Sequence, residues 1–285
     1  MAAAPFVAVA VSAKKSNDKH LEEAKAIFEW VSKTKDGFIT PKLELRREIP
    51  GDSSSPMGVY AAKTIEIGED IVRIPWSVII EPDDEDEHPS QLVCGTVRAL
   101  AKEMALGADS KYAPYVQYLN SEADHQIPSA WSKGGQELLQ DVLQHGAIPP
   151  LNPVSWIGHD WFRRCKGDPD DEISIKAALM VIQRSDDAIM IPAYDNFNHR
   201  NGHWTNAFTE IEGDEHHRTA ATKTIAAGEQ IYISYNMCED CGGRRFGYGT
   251  AGKFFKIVKT FKLSVNFRVT HASIVYCAPS RFGFP

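Results

Sequence analysis

The sequence predicts an α+β fold rich in short strands. Three observations predict it: β-branched runs occupy residues 58–80 and again 205–235, helical periodicity dominates between them, and one turn motif occurs in both strand regions. From Ser16 onward, Leu21, Ala24, Phe28 and Val31 recur at helical spacing and Gly37 follows, which predicts an amphipathic helix with a glycine stop. Gly58–Ala62, Ile71–Ile74 and Val78–Ile80 read as strands, because β-branched side chains suit a pleated surface and Gly68 and Pro75 punctuate them as turns. The acidic run Glu81–Glu87 reads as a solvated loop, with a docking patch for a basic substrate as the alternative. Helical spacing returns at Leu92, Val93, Val97, Leu100 and Met104, then at Leu138, Leu139, Val142 and Leu143, and again from Glu172 to Ile182. Strands resume at Thr205–Ile211, His217–Thr222 and Gln230–Tyr235.

The 285 residues allow one large domain or two small ones, enough to bury a core without disulfide staples. With 43% hydrophobic and 24% charged residues, neither wholesale disorder nor a coiled coil fits. The net charge of −7 is unevenly spread: Lys253–Pro285 hold six basic residues and no acid, which leaves residues 1–252 at −13. An acidic body excludes nucleic acid as the expected ligand, since phosphates need clustered Lys and Arg, and suits a basic protein or peptide partner. The five cysteines (Cys94, Cys165, Cys238, Cys241, Cys277) are odd in number and mostly scattered. That usage suits a reducing compartment, so the protein is expected to be intracellular, in the cytoplasm or alternatively in a plastid. Met1–Ala13 is small and apolar but carries no basic n-region, and reads as an unstructured start, with a targeting segment as the alternative. No run reaches the roughly 18 apolar residues of a spanning helix, so a membrane is not an expected partner. The expected oligomeric state is a monomer.

Lys63-Thr64-Ile65-Glu66-Ile67-Gly68-Glu69-Asp70-Ile71 is echoed by Lys223-Thr224-Ile225-Ala226-Ala227-Gly228-Glu229-Gln230-Ile231. Both read K-T-I-x-x-G-E-x-I. The expected form is a hairpin-like connection in which Gly takes the demanding backbone angle and Ile enters the next strand.

Between the echoes and after them stand Asp195-Asn196-Phe197-Asn198-His199 and Gly228-Glu229-Gln230-Ile231-Tyr232-Ile233-Ser234-Tyr235, preceded far upstream by Gly58-Val59-Tyr60-Ala61. D-x-x-N-H followed by G-E-x-I-x-x-x-Y in this order resembles the SET-domain methyltransferases. The insert with Tyr112-Ala113-Pro114-Tyr115-Val116-Gln117-Tyr118-Leu119 and Trp131 is similar to the branch that includes the Rubisco large-subunit lysine methyltransferase and the actin histidine methyltransferase. The resemblance covers residues 20–250 and implies a β-rich SET fold of small sheets with a threaded loop and a helical insert at about 88–185. Residues 1–19 precede it and the basic tail 251–285 follows, where that branch has a helical substrate domain. It further implies S-adenosylmethionine as cofactor, bound by Asn198 and His199 and contacted through backbone by Met57 and Gly58. Arg184 falls where the branch has an arginine near the cofactor, although an arginine at a helix C-terminus also complements the helix dipole. Tyr235 matches the channel tyrosine taken as catalytic. No metal site is expected.

The residue types fit methyl transfer independently. A sulfonium brings its own leaving group, so the protein must supply in-line positioning and a dry channel, and a phenol there orients without attacking. A lysine acceptor must first lose a proton, which from a pKa of about 10.4 costs about 4–5 kcal/mol at pH 7, whereas histidine is already mostly neutral. The expected function is therefore protein methylation on a lysine of a non-histone protein, with histidine second. A catalytically silent SET-like peptide-binding module is the alternative. Two departures from the family favour that alternative: Pro56 stands where the first glycine of G-x-G is usual, and no Y-G-F element follows Phe246-Gly247-Tyr248-Gly249-Thr250. Cys238-x-x-Cys241 provides half of a zinc site, which Cys165, Cys277, His216 or His217 would have to complete.

Overall fold

The computed structural model describes residues 18–83, 92–122, 132–134, 137, 157–186, 188–200, 202–212 and 216–235. The sequence features at 138–143, Cys238, Cys241, Cys277, Trp131 and the tail 251–285 lie outside them.

Helix α1 (Lys19–Lys33) buries Ala24, Ile27, Phe28 and Val31, the stripe that the spacing predicts. Its first turn is closed by Asp18, whose carboxylate accepts from the Leu21 N–H at 3.1 Å. The same carboxylate receives a two-pronged ion pair from Arg47, Nε at 2.7 Å and Nη2 at 3.0 Å, which ties the helix to the next hairpin. Strands β1 (Phe38–Ile39), β2 (Leu43–Arg47), β3 (Met57–Ala61) and β4 (Asp70–Pro75) follow. β2 and β3 pair antiparallel, from Leu43 opposite Ala61 to Arg47 opposite Met57. Beyond that register the Glu48 N–H still reaches the Pro56 carbonyl at 2.8 Å. Pro56 has no N–H to return, so the ladder ends where β3 begins.

The helical middle comprises α2 (Leu92–Leu106), α3 (Ala113–Ser121), a π-helical turn (Ile157–Arg164) and α4 (Glu172–Arg184). α3 carries no alternating or long apolar signature, but Pro114 in its first turn and Tyr115, Val116, Tyr118 and Leu119 on its buried face account for it. Val78–Ile80, expected as a strand, instead closes a short 3₁₀ turn (Trp76–Val78), and only Ile80 pairs, with Met190. Cys94 on α2 and Cys165 form a disulfide, contrary to the expectation that the cysteines stand reduced. That bond also removes Cys165 from any metal site.

β5 (Asn198–His199), β6 (Ala207–Glu212), β7 (His216–Ala221) and β8 (Tyr232–Ile233) complete the set. Among the described residues three small sheets result: β1-β4-β7-β6, wholly antiparallel, the β2-β3 pair, and β5-β8, which is parallel. No helix among the described residues is long and apolar enough to cross a membrane.

The two echoed motifs explain how the sheets are joined. Each connects strands of different sheets, and neither is a hairpin: they grip one another. Ile65 N–H donates to the Ile225 carbonyl at 3.0 Å and Ile225 N–H to the Ile65 carbonyl at 2.9 Å. Gly68 N–H reaches Ala221 and Gly228 N–H reaches Ala61, while Ala221 and Ala61 donate back to Glu69 and Glu229. Within each turn the Glu side chain accepts a backbone N–H three residues earlier, Glu69 from Glu66 and Glu229 from Ala226. Gly68 and Gly228 hold φ of +82° and +87°, which a Cβ would strain. Ile65 and Ile225 are both fully buried beneath the grip.

Arg47 holds the Asp18 carboxyl below its usual range against the opposing effect of partial burial. A carboxyl depressed in the folded state contributes stability above the ordinary carboxylate range and loses it as pH falls through the lowered value. Asp18→Ala is therefore expected to destabilise the protein by about 2 kcal/mol at pH 7, with the deficit narrowing below about pH 3. Urea denaturation at the two pH values measures it, and an equal deficit at both would contradict the assigned ion pair.

Candidate active site

The reciprocal grip continues directly into the site. Past Gly228 and Ala61, Ile231 N–H donates to the Val59 carbonyl at 2.8 Å, and Tyr60 pairs with Gln230. Gln230 is thereby laid over Gly58: a Cβ there would stand 2.1 Å from Gln230 Nε2 and 2.9 Å from Asn198 Nδ2. A side chain at this position would have to displace both amides. Asn198 Nδ2 donates to the Met57 carbonyl at 2.9 Å, which fixes the amide with its Oδ1 as an acceptor. Gln230 is held in turn by the Tyr232 hydroxyl at 2.6 Å, and Asn206 clamps the same strand through the Gln230 carbonyl and the Tyr232 N–H.

Parallel pairing of β5 with β8 sets Asn198 beside Tyr232 and His199 beside Ile233. Tyr235 then turns back over His199. Its N–H donates to His199 Nδ1 at 2.9 Å and the two rings stack with centroids 4.9 Å apart. Since Nδ1 accepts, the proton of the neutral imidazole sits on Nε2. The Tyr235 hydroxyl donates to the Phe197 carbonyl. Burial, reinforced by the Asp195 charge, lifts the Tyr235 phenol well above the ordinary tyrosine range. It stays protonated at neutral pH and acts as a donor, not as a base. The structure thus brings Met57, Gly58, Asn198, His199 and Tyr235 together from three separate parts of the chain.

Arg184, the last residue of α4, lies behind this cluster with its guanidinium buried. Nη1 donates to Asp195 Oδ2 at 2.9 Å, and Nη2 donates to the Tyr118 hydroxyl at 3.2 Å and pairs with Glu122. Tyr115 donates to the same Asp195 oxygen at 3.1 Å, Tyr118 donates to Asn196 Oδ1 at 2.9 Å, and Asn196 Nδ2 returns to Asp195 at 3.0 Å. Burial disfavours the Arg184 charge, yet the facing Tyr118, Asp195 and Tyr115 outweigh it and hold the group above its ordinary range. The Tyr118 phenol is pushed up to about 12, chiefly by burial.

Sequence reasoning singled out Arg184 as a cofactor neighbour and placed Asp195 at the head of the D-x-x-N-H motif. Their mutual ion pair makes them a brace for the loop that carries Asn198 and His199. Gln230, Asn206, Glu122, Tyr115 and Tyr118 were not singled out as site residues. Tyr112, Tyr115 and Tyr118, spaced by three, carried the available signal, since that spacing lines hydroxyls along one helical face. Their phenols reach Ile79, Asp195 and Asn196 in that order. Among the described residues no group of His, Cys, Asp or Glu is placed to hold a metal ion.

A sequence profile of the SET domain matches residues 57–236, more than half the chain, and the chain belongs to the SET-domain family. Solved structures with a similar fold include the SET domain of LSMT bound to lysine and AdoHcy, at 16% identity and a TM-score of 0.48 over 76% of this chain and 54% of that one. The same domain bound to MeLysine and AdoHcy is 17% identical with a TM-score of 0.49, over 75% and 53%. Rubisco LSMT bound to AdoMet is likewise 17% identical, with a TM-score of 0.48 over 75% and 53%. The chain spans about half the length of these structures. No curated protein sequence matches it.

Replacing Arg184 by Leu leaves Glu122 and Asp195 buried without their cation, and the expected loss is about 3–5 kcal/mol. Arg184→Lys, which lacks the planar fork, should recover only part of it. Chemical denaturation of the three proteins tests this; a Leu variant within about 1 kcal/mol of the parent would remove Arg184 from the brace.

Proposed function

We propose that the protein is an S-adenosylmethionine-dependent protein methyltransferase that transfers a methyl group to a lysine side-chain nitrogen of a non-histone protein, with histidine as the second acceptor. The observation that carries this reading is the convergence of the Gly58 backbone, the Asn198-His199 pair and the Tyr235 phenol within a SET domain.

These residues fit the cofactor. Asn198 keeps its amide oxygen as an acceptor for an ammonium group, and His199 carries a donor on Nε2. When bound, the sulfonium supplies an electrophilic methyl with its leaving group attached. Met57 and Gly58 would flank it through backbone. Arg184 enters as a positioning residue, since its guanidinium reaches the loop through Asp195. Tyr235, held protonated and anchored on the Phe197 carbonyl, orients the acceptor nitrogen and excludes water around it. A lysine acceptor must arrive neutral, so the rate should rise with pH until the amine is deprotonated in the channel.

One observation favours the second reading, a silent peptide-binding module. The Gln230 and Asn198 amides both crowd the open side of Gly58, in the space where close approach to a ligand is needed. Calorimetric titration with S-adenosylmethionine separates the two readings, because a silent module gives no saturable heat.

Tyr235→Phe is expected to lower methyl incorporation by about a hundred-fold while leaving cofactor affinity within about two-fold. His199→Ala should instead weaken cofactor binding by about ten-fold or more. Undiminished transfer in the first variant, or undiminished affinity in the second, refutes the corresponding role.

A further inference from the structure

One buried residue on the approach to the site holds a backbone conformation that its side chain disfavours. Among the described residues Asp36, Lys166, Ala188 and Ala193 take positive φ without being glycine, and of these only Ala193 is fully buried. Its φ of +64° and ψ of −42° fall in the rare, strained form of the γ-turn, outside the left-handed helical region that asparagine or aspartate tolerates. The turn is closed across Ala193 by the Tyr194 N–H, which donates to the Pro192 carbonyl at 2.7 Å.

Such strain persists only where the surroundings over-determine the chain. Upstream, Met190 exchanges two backbone bonds with Ile80, at 3.0 and 2.9 Å, and the ring of Pro192 fixes its own φ. Downstream, Asp195 is gripped by Arg184 at 2.9 Å and by Tyr115 at 3.1 Å, and Asn196 by Tyr118 at 2.9 Å. Ala193 and Tyr194 alone must join these anchors. Ile191, Ala193, Tyr194 and Phe197 all belong to the buried core, so the turn has little room to shift on either side. The 3₁₀ turn that follows (Tyr194–Asn196) packs against β3, which carries Met57 and Gly58, and leads through Phe197 into Asn198 and His199.

We propose that Ala193 is a positioning residue for the cofactor-binding loop: its strained turn, clamped from both ends, sets where Asn198 and His199 stand, and slackening either clamp lets the turn relax and moves them. The inference rests on the cofactor reading above. Relaxation of Ala193 to negative φ would redirect the chain at Tyr194 and carry the whole run to His199 with it. Glycine would accept the turn without strain, but would accept other angles as readily. Alanine with its methyl group packed in the core has one arrangement, and that arrangement lasts only while Asp195 is held. A residue that merely filled space would behave otherwise, since loss of its methyl group would lower stability and leave the loop where it is.

The test compares the full chain with Ala193→Gly, with Tyr115→Phe, which keeps the ring but releases one grip on Asp195, and with the double variant. S-adenosylhomocysteine affinity is measured by calorimetry and stability by urea denaturation. Ala193→Gly should bind about ten-fold more weakly, because the loop is no longer preorganised, while its denaturation midpoint stays at or above the parent's. Tyr115→Phe should weaken binding by about five-fold in the parent and by less than about two-fold in the Ala193→Gly background, where no strain is left to release. Affinity of Ala193→Gly within about two-fold of the parent's overturns the proposal, as does a weaker affinity accompanied by a lowered midpoint, or a Tyr115→Phe effect of equal size in both backgrounds. Amide hydrogen exchange without any ligand gives an independent readout. The Tyr194 N–H, bonded to Pro192, and the Tyr235 N–H, bonded to His199, should exchange about ten-fold faster in Ala193→Gly while the Phe28 amide in α1 keeps its rate, and unchanged exchange at both tyrosines also overturns it. A parent chain that binds no S-adenosylhomocysteine would instead refute the cofactor reading, and the exchange rates would decide the hold of the turn on the loop.

Discussion

The reciprocal pairing of Ile65 with Ile225 is the constraint on which the rest of the structure depends. Each turn alone exposes backbone donors and acceptors that a buried position cannot tolerate; each satisfies the other's. Because Ile65 and Ile225 are fully buried, separating the two turns would expose apolar surface and orphan backbone groups together. The pairing then fixes the register of the chain on both sides of it. Moving outward, Ala61 meets Gly228 and Glu229, Val59 meets Ile231, and Gln230 comes to lie over Gly58. The site is formed by the next few residues along the same register.

A second constraint works from the helical side. Arg184, Glu122 and Asp195 form a buried charge cluster, and such clusters are better at selecting one arrangement than at adding stability, given the cost of desolvating the ions. Here the arrangement selected is the height of the loop from Asp195 to His199. α3 supplies Tyr115 and Tyr118, α4 supplies Arg184, and together they press the loop against β8. The helical insert thereby acts as the back wall of the candidate site, although none of its residues carries the proposed chemistry.

Much of this was legible in the chain. Helices α1, α2 and α4 follow from the recurrence of apolar residues at three and four positions, because burying one face of a helix imposes that period. Strands β3 and β4 follow from β-branched residues with Gly and Pro at their ends. β1 and β2 were not read: β1 has two residues, and Leu43-Glu44-Leu45-Arg46-Arg47 ends in two charges, Arg46 laid over the Tyr60 ring and Arg47 paired with Asp18. Helix α3 was missed because tyrosines, which are neither polar nor plainly apolar, mark its buried face. The Cys94–Cys165 bond was missed because it joins positions 71 residues apart, and only the packing of α2 beside Cys165 brings them together.

By itself the sequence determined the residue types: a glycine with no Cβ at 58, an Asn-His pair at 198–199, a tyrosine at 235, and two turns whose Gly and Glu close the backbone locally. Those depend on bonds within a few residues, which local sequence encodes. Only the tertiary structure decided that the two turns grip each other and not their neighbouring strands, that Gln230 covers Gly58, and that Arg184 meets Glu122 and Asp195. Each of those contacts joins residues distant in the chain, and the energy that selects it comes from burial and charge pairing. Neither exists until the separate pieces have packed.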